Sequence, residues 1–483
     1  MTRLYSMNSV VSIVSIIMAL LFYIAILLVG FDFRKIRILV FSRISTNWIS
    51  ENLLFFVGPL PLFIPVLFFL KNYSINSNGN ILILGYIGVS LLIAFSVLFR
   101  YYGDEVQSIK NRSDTLESNS TYNVYLFLTN FGLKLPIIVF VYALILESMY
   151  GNNAFRIIIA IITMSGLLLI IHGSLAYIHS GIIIGIALLI SLIVLLLLDA
   201  PMDQLIRLKG ILITSNGTVF DVNSLWYIPL ILVLAGVWIV DLKHTADYIS
   251  QLKTTKFSSN LINSIILLFS FLLLMPVFLN NGNDSFFRGL GDSPNILNGL
   301  QFNGFQLIIV SGLFIIGLMS VFQSTSHVIA YQIFKKYRKN AGNEIIILIS
   351  RLTIVLSVVF AILLTPLLTL ITFRVLHLLL TIFFSLSIPV LVIYSYSIVE
   401  PNISSKTISY SLISGLFPVL LFTGLTLANV MNQVHLLQFY SFHLLYSFLC
   451  VFLVSVIIKK TNNTEIGKTQ QYKTVLKKLT IKE

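Results

Sequence analysis

The sequence predicts an all-α polytopic membrane protein with about 13 transmembrane helices. Three observations carry that reading. The 483 residues are 57% hydrophobic and only 10% charged, with a mean hydropathy of +0.96, far too apolar for a soluble chain of this length. Apolar runs of roughly 17 to 25 residues, each long enough to cross a hydrocarbon core, recur from end to end. Basic residues gather in the segments between alternate runs, as the positive-inside rule requires.

Taken in order, the spans fall near 8–30, 44–70, 81–101, 123–149, 155–172, 175–199, 224–241, 260–280, 304–334, 344–370, 373–399, 407–429 and 437–458. The first run is too long for a signal-peptide core and lacks a small-residue cleavage site, so it reads as a span. An odd count puts the termini on opposite sides. With the N-terminus outside and the C-terminus cytoplasmic, about three quarters of the Lys and Arg residues lie inside, among them Arg34, Lys35 and Arg37, the cluster Lys335, Lys336, Arg338 and Lys339, and the lysines of the tail 459–483. Lys134 alone lies within a span. The net charge of +13 therefore describes topology in a cell membrane and not nucleic-acid binding; the Lys-rich tail reads as a solvated end near anionic lipid.

Enzyme readings find little support. The longest segments between spans, 200–223 and 282–303, are too short for a catalytic domain. No phosphate loop, zinc spacing or nucleophile elbow is present. A single cysteine, Cys450, excludes an intrachain disulfide and reads as a small core residue.

Two stretches could carry function. From Gly304 to Arg351 an apolar run breaks into a hydroxyl-rich turn, Ser320, Gln323, Ser324, Thr325 and Ser326, before the basic cluster. Polar groups at that depth either face protein and a water-filled cavity or bond back to their own helix carbonyls. The second span holds Ser50, Glu51 and Asn52, then Gly58, Pro59, Pro61 and Pro65. Proline removes helix donors, so this span is expected to be broken, with freed carbonyls near Gly58. A broken span is how many secondary transporters surround a cation and solute site. Glu51 sits about 10 Å in from Ile44 by helical rise, where a carboxylate is costly unless protonated or paired. It is the candidate coupling residue, or else a member of a structural pair or a wet vestibule.

Weaker candidates are Lys134 and Glu147, functional or interfacial by snorkelling, and Asp241 and His244, a gate or a solvated helix end. The pairs His172/His179 and His435/His443 lie along single helices or across a turn and read as structural, not as haem ligands.

Four places, in order, resemble the sodium:solute symporter family. Asn47 to Ser50 running to Gly58 and Pro59 resembles its broken first core helix. His172, Gly173, Ser174 and Leu175 resemble the turn between its fourth and fifth core helices. Met319 and Ser320, ending in Ile333, Phe334 and Lys335 and followed by Ser350 and Arg351, resemble its eighth core helix and the start of its ninth. Ser387, Ile388 and Pro389, followed by 400–415, are similar to its tenth helix and the loop beyond.

The resemblance implies a LeuT-like 5+5 inverted repeat. One leading helix and loop (1–43) would precede a first repeat (44–199), an extracellular loop (200–223), a second repeat (224–399) and two trailing helices (400–458). A small solute would bind between the broken spans, with sodium near Ser320, and be moved by alternating access. The family carries two neighbouring hydroxyl residues as sodium ligands on the eighth core helix. Matching through Met319 places Ser320 and Val321 there; matching back from Ile333 places Ile316 and Gly317. One hydroxyl at least is missing, and the acidic residue expected near Gly181 and Ile182 is absent, so the coupling ion stays open between sodium and a proton at Glu51.

The expected function is thus cation-coupled symport of a small organic solute, with no resident cofactor. A non-transporting sensor or assembly subunit is the second reading, and a membrane haem or quinone redox protein the third. Sugars, amino acids and organic acids remain equally open as solutes, and so does the oligomeric state.

Overall fold

A computed structural model describes residues 60–62, 65, 119–150, 154–199, 304–338, 340–370, 373–399, 404–427, 439–440 and 442–458. The expected spans at 8–30, 81–101, 224–241 and 260–280, and most of 44–70, lie outside them, and with these the full span count and the repeat.

The described residues are helical, without a strand among them. In order they are a 3-10 turn at Leu60–Leu62; α1, Ser120–Phe127, continued by a π-helical segment, Leu128–Lys134, into α2, Leu135–Tyr150; α3, Ala154–His172; and α4, Ser174–Asp199. Then come α5, Gly304–His327, continued by a second π segment, Val328–Phe334, and a closing turn, Lys335–Tyr337; α6, Asn343–Leu364, with a 3-10 turn at Thr365–Leu370; α7, Phe373–Val399; α8, Ser405–Leu427; and α9, Phe442–Ile458. Five of these helical stretches are long and apolar enough to cross a membrane.

The expected turn at Ser320–Ser326 is not formed. Helix α5 runs unbroken through those residues, and the irregularity comes one turn later, where the Lys335 N–H reaches the Ala330 carbonyl five residues back. Serine and threonine are tolerated in such a helix because their hydroxyls can bond within it or to a neighbour.

Helix α6 shows why this fold needs a hydrocarbon surround. Its exposed stripe is Ile345, Leu348, Leu352, Val355, Leu356, Val359 and Leu363, while its buried side carries Ser350, Thr353 and Ser357. In water that polarity would be inverted. Here the buried hydroxyls are satisfied inside the protein: Thr353 donates to the Ile349 carbonyl at 2.8 Å and Ser357 to the Thr353 carbonyl at 2.9 Å. The outward leucines lose nothing by facing lipid tails.

Helix α5 is the centre. It packs against α2, α3, α4 and α6, and Val310–Tyr337 buries 78% of its most apolar stretch, against 61% for Ser120–Glu147 and 33% for Asn343–Leu367. Helices α3 and α4 are joined by Gly173 alone, at φ 58, whose N–H bonds the Leu169 carbonyl at 2.8 Å. Only glycine takes that left-handed conformation without cost, so the chain reverses in one residue. The turn lies where the resemblance expects one.

Asn119 ties the start of α1 to α8. Its side-chain oxygen caps the helix by accepting from Thr121 N at 2.9 Å and Tyr122 N at 3.2 Å, and its amide donates to the Ser405 carbonyl at 2.7 Å. Further along, Tyr125 donates to the Leu386 carbonyl at 2.7 Å, in the turn of α7 that Pro389 ends. Pro389 in turn fills the space over Gly415 of α8, where any Cβ would collide with its ring.

Candidate functional site

Helices α2 and α5 run antiparallel and meet in successive steps. Tyr142 stacks on Phe314, ring centroids 5.3 Å apart. One turn on, Gly317 faces Ile138 and Pro61 so closely that a Cβ there would lie 3.0 Å from Pro61 Cβ and 3.3 Å from Ile138 Cγ2. One turn further, Lys134 Nζ donates to Ser320 Oγ across a long 3.4 Å. The contact continues to the far end, where Lys336 donates to Ser120 Oγ at 2.7 Å. The spacings of four residues along α2 (142, 138, 134) and three along α5 (314, 317, 320) keep each series on one helix face.

This ladder grips the second span. The 3-10 turn at Leu60–Leu62 sits on Gly317, and the Tyr142 hydroxyl donates to the Pro61 carbonyl at 2.9 Å. Pro61 and Leu62 are buried. The Pro61 carbonyl thus lies beside α2 and α5, and the carbonyls expected to be freed near Gly58 lie outside the described residues.

The π segment ending at Lys134 has a local cause. Leu135 N–H bonds the Asn130 carbonyl, five residues back, and Pro136, next in the chain, has no N–H to offer the preceding turn. The helix is therefore wound wide where Lys134 leaves it. Single π turns of this kind are frequent at functional sites.

Lys134 is only 2% exposed, so it is neither snorkelled nor interfacial; Glu147 is exposed. Of the polar residues expected on α5, Ser320 is half-buried against Lys134, and Ser324 donates to its own helix at the Val321 carbonyl, 3.0 Å. Ser326 pairs with Ser350 of α6 at 2.8 Å, which joins the two stretches that resemble the eighth and ninth core helices. Gln323 is 8% exposed and Thr325 1%. The Gln323 amide nitrogen and the Thr325 hydroxyl have no partner among the described residues. Ser50, Glu51, Asn52 and Gly58, and the gate candidates Asp241 and His244, lie outside the described residues.

A sodium ion fits poorly beside Ser320. Val321 is fully buried and brings no oxygen, and in the other register Ile316 and Gly317 bring none either. The Lys134 ammonium already faces the one hydroxyl. A metal ion ligated there would meet a like charge at close range, a repulsion of roughly 4 kcal/mol at 4 Å for an effective dielectric of about 20. Of the histidines, His443 sits between α8 and α9 with its Nε2 at 3.1 Å from the Gly415 carbonyl, a structural contact.

Sequence reading alone gave Lys134 little weight and passed over Tyr142 and Phe314. The signal was there in part: Pro61 and Pro65 stand four apart, which removes the α-helical donor to the Pro61 carbonyl, and Lys134, Ile138 and Tyr142 share one stripe. Nothing in the sequence says that these two features meet.

No family model matches the sequence, and no curated protein matches it in sequence either. In structure the chain is similar to a Na+-coupled sialic acid symporter solved in a substrate-bound, outward-open state, with a TM-score of 0.62 and 13% identity over 91% of this chain and 98% of that one. It also aligns with a manganese transporter of Eremococcus coleocola in two variants, at 14% identity and TM-scores of 0.43 and 0.42, over 86% and 84% of this chain and 99% and 95% of theirs. The first likeness shows a transporter fold; at that identity it shows the fold alone.

Proposed function

We propose that this chain is a secondary active transporter of the sodium:solute symporter type, which moves a small organic solute together with a cation by alternating access. The observation that carries the reading is the docking of the 3-10 turn Leu60–Leu62, through Pro61, onto α2 and α5 one turn from a buried group of polar side chains. The fold likeness to a symporter over nearly the whole of both chains supports it. In this reading the chain has about 13 spans, with a leading helix, two five-helix repeats and two trailing helices. Ser50, Glu51, Asn52 and Gly58 of the broken span would contribute to the solute and ion site with Ser320, Gln323 and Ser324, and Asp241 and His244 would gate it.

Coupling by a proton at Glu51 is the form that the site favours, because the residues by Ser320 suit sodium poorly. The test is uptake into proteoliposomes of labelled organic acids, amino acids and sugars under an imposed sodium or proton gradient. Accumulation of any one of them, abolished by the matching ionophore, supports the proposal. Glu51→Gln is expected to abolish uptake driven by a pH gradient while leaving solute exchange; unchanged gradient-driven uptake in that variant would remove Glu51 from the coupling role. No uptake above protein-free liposomes across the whole panel would favour the second reading, a non-transporting sensor or assembly subunit. Val321, where the family carries a hydroxyl ligand, and Gly181 and Ile182, near which it carries an acidic residue, are what favour that second reading.

A further inference from the structure

We infer that Lys134 is a built-in cation: its side-chain ammonium stands permanently where a transporter of this type would bind a sodium ion at Ser320. The inference rests on the transporter reading, and it concerns only which cation serves this place.

Three independent features converge on it. The Lys134 side chain is 2% exposed, and a lysine is almost never buried to that degree unless its charge is used. Its Nζ donates to the Ser320 hydroxyl at 3.4 Å, so a lone pair that could ligate a metal ion is already turned to a fixed ammonium. The backbone delivers it there by a built irregularity, a π segment ending at Lys134 with Pro136 two residues on.

Position adds to this. Lys134 and Ser320 are the next step of the ladder beyond Ile138, Gly317 and Pro61. The ammonium therefore joins α2 to α5 one turn from the 3-10 turn Leu60–Leu62, as a bridging ion would, with neither Val321 nor a second hydroxyl needed. Unlike a bound ion, a tethered one does not dissociate. No sodium ion is carried at this place in a transport cycle, and sodium outside the membrane has no hold on the equilibrium between its conformations here.

The test needs no knowledge of the solute. Thermal unfolding of the purified full chain is followed as sodium chloride replaces choline chloride at constant ionic strength, with 22Na+ binding measured in parallel. The wild type is expected to show no saturable sodium shift or binding that Ser320→Ala removes. Lys134→Ala is expected to lower the unfolding midpoint and to acquire a saturable upward shift with methylammonium or sodium chloride that choline does not give; adding Ser320→Ala should abolish that shift. Lys134→Gln, which keeps most of the volume without the charge, serves the same purpose if the alanine variant does not fold.

Saturable sodium binding to the wild type that Ser320→Ala removes would overturn the inference, and so would a folded Lys134 variant that neither cation restores. Either result leaves the transporter reading to the uptake assay. Failure of that assay with restoration intact would leave the built-in cation standing in a protein that does not transport.

Discussion

The Tyr142 hydroxyl donates at 2.9 Å to the Pro61 carbonyl, the very group that Pro65, four residues on and without an N–H, cannot serve. In a continuous helix residue 65 would donate to residue 61. In hydrocarbon a carbonyl without that donor finds no water, and a side chain from another span can take over. Tyr142, fully buried, does so with its ring fixed by Phe314.

Tyr142→Phe keeps that stack and removes only the donor. It should destabilise the protein by about 1–3 kcal/mol, the cost of a buried polar group left without a partner. Thermal unfolding in detergent measures it. A midpoint equal to wild type would mean that the Pro61 carbonyl is satisfied in another way.

At Gly317, α5 lies against Pro61 of the 3-10 turn. Gly317→Ala asks Pro61 or Ile138 to yield by a few tenths of an ångström; Gly317→Val cannot be seated without pushing the two apart, at about 1–3 kcal/mol. Uptake should fall further than stability in the valine variant, because the displaced segment borders the proposed site. Parallel measurement of unfolding midpoint and initial uptake rate separates the two effects.

Gln323→Leu tests a buried amide whose nitrogen has no partner among the described residues. A group kept for structure would be bonded, since an unmade hydrogen bond costs about 1–3 kcal/mol. The leucine variant is therefore expected to be at least as stable as wild type yet to lose solute uptake. A destabilised variant that still transports at the wild-type rate would show the amide to be structural.

Gly173→Ala places a Cβ on a residue at φ 58. The left-handed conformation costs a non-glycine residue about 1–2 kcal/mol, and the unfolding midpoint should fall accordingly. Gly173→Asn should cost less, because asparagine visits that region more readily. Equal effects of the two substitutions would argue that the penalty arises from packing and not from the backbone.

What the sequence determined by itself is what the surrounding solvent dictates. Apolar length placed the spans within a few residues of where the described helices run, from Ser120–Tyr150 to Ser405–Leu427, because a segment must satisfy its own backbone and cross a fixed thickness of hydrocarbon. Local chemistry likewise marked the turn at Gly173, the property of one residue type. Tertiary structure decided the partners. Helix α5 keeps its hydrogen-bonded register straight through Ser320–Ser326, since hydroxyls do not break a helix that lets them bond backwards or sideways. Lys134 lies buried beside Ser320 instead of reaching the interface, and Tyr142 finds the Pro61 carbonyl, because α2 and α5 pack antiparallel at one particular register. These contacts join residues well over a hundred positions apart in one case and about eighty in the other. No local pattern encodes such a meeting; it follows only once the helix faces have been pressed together.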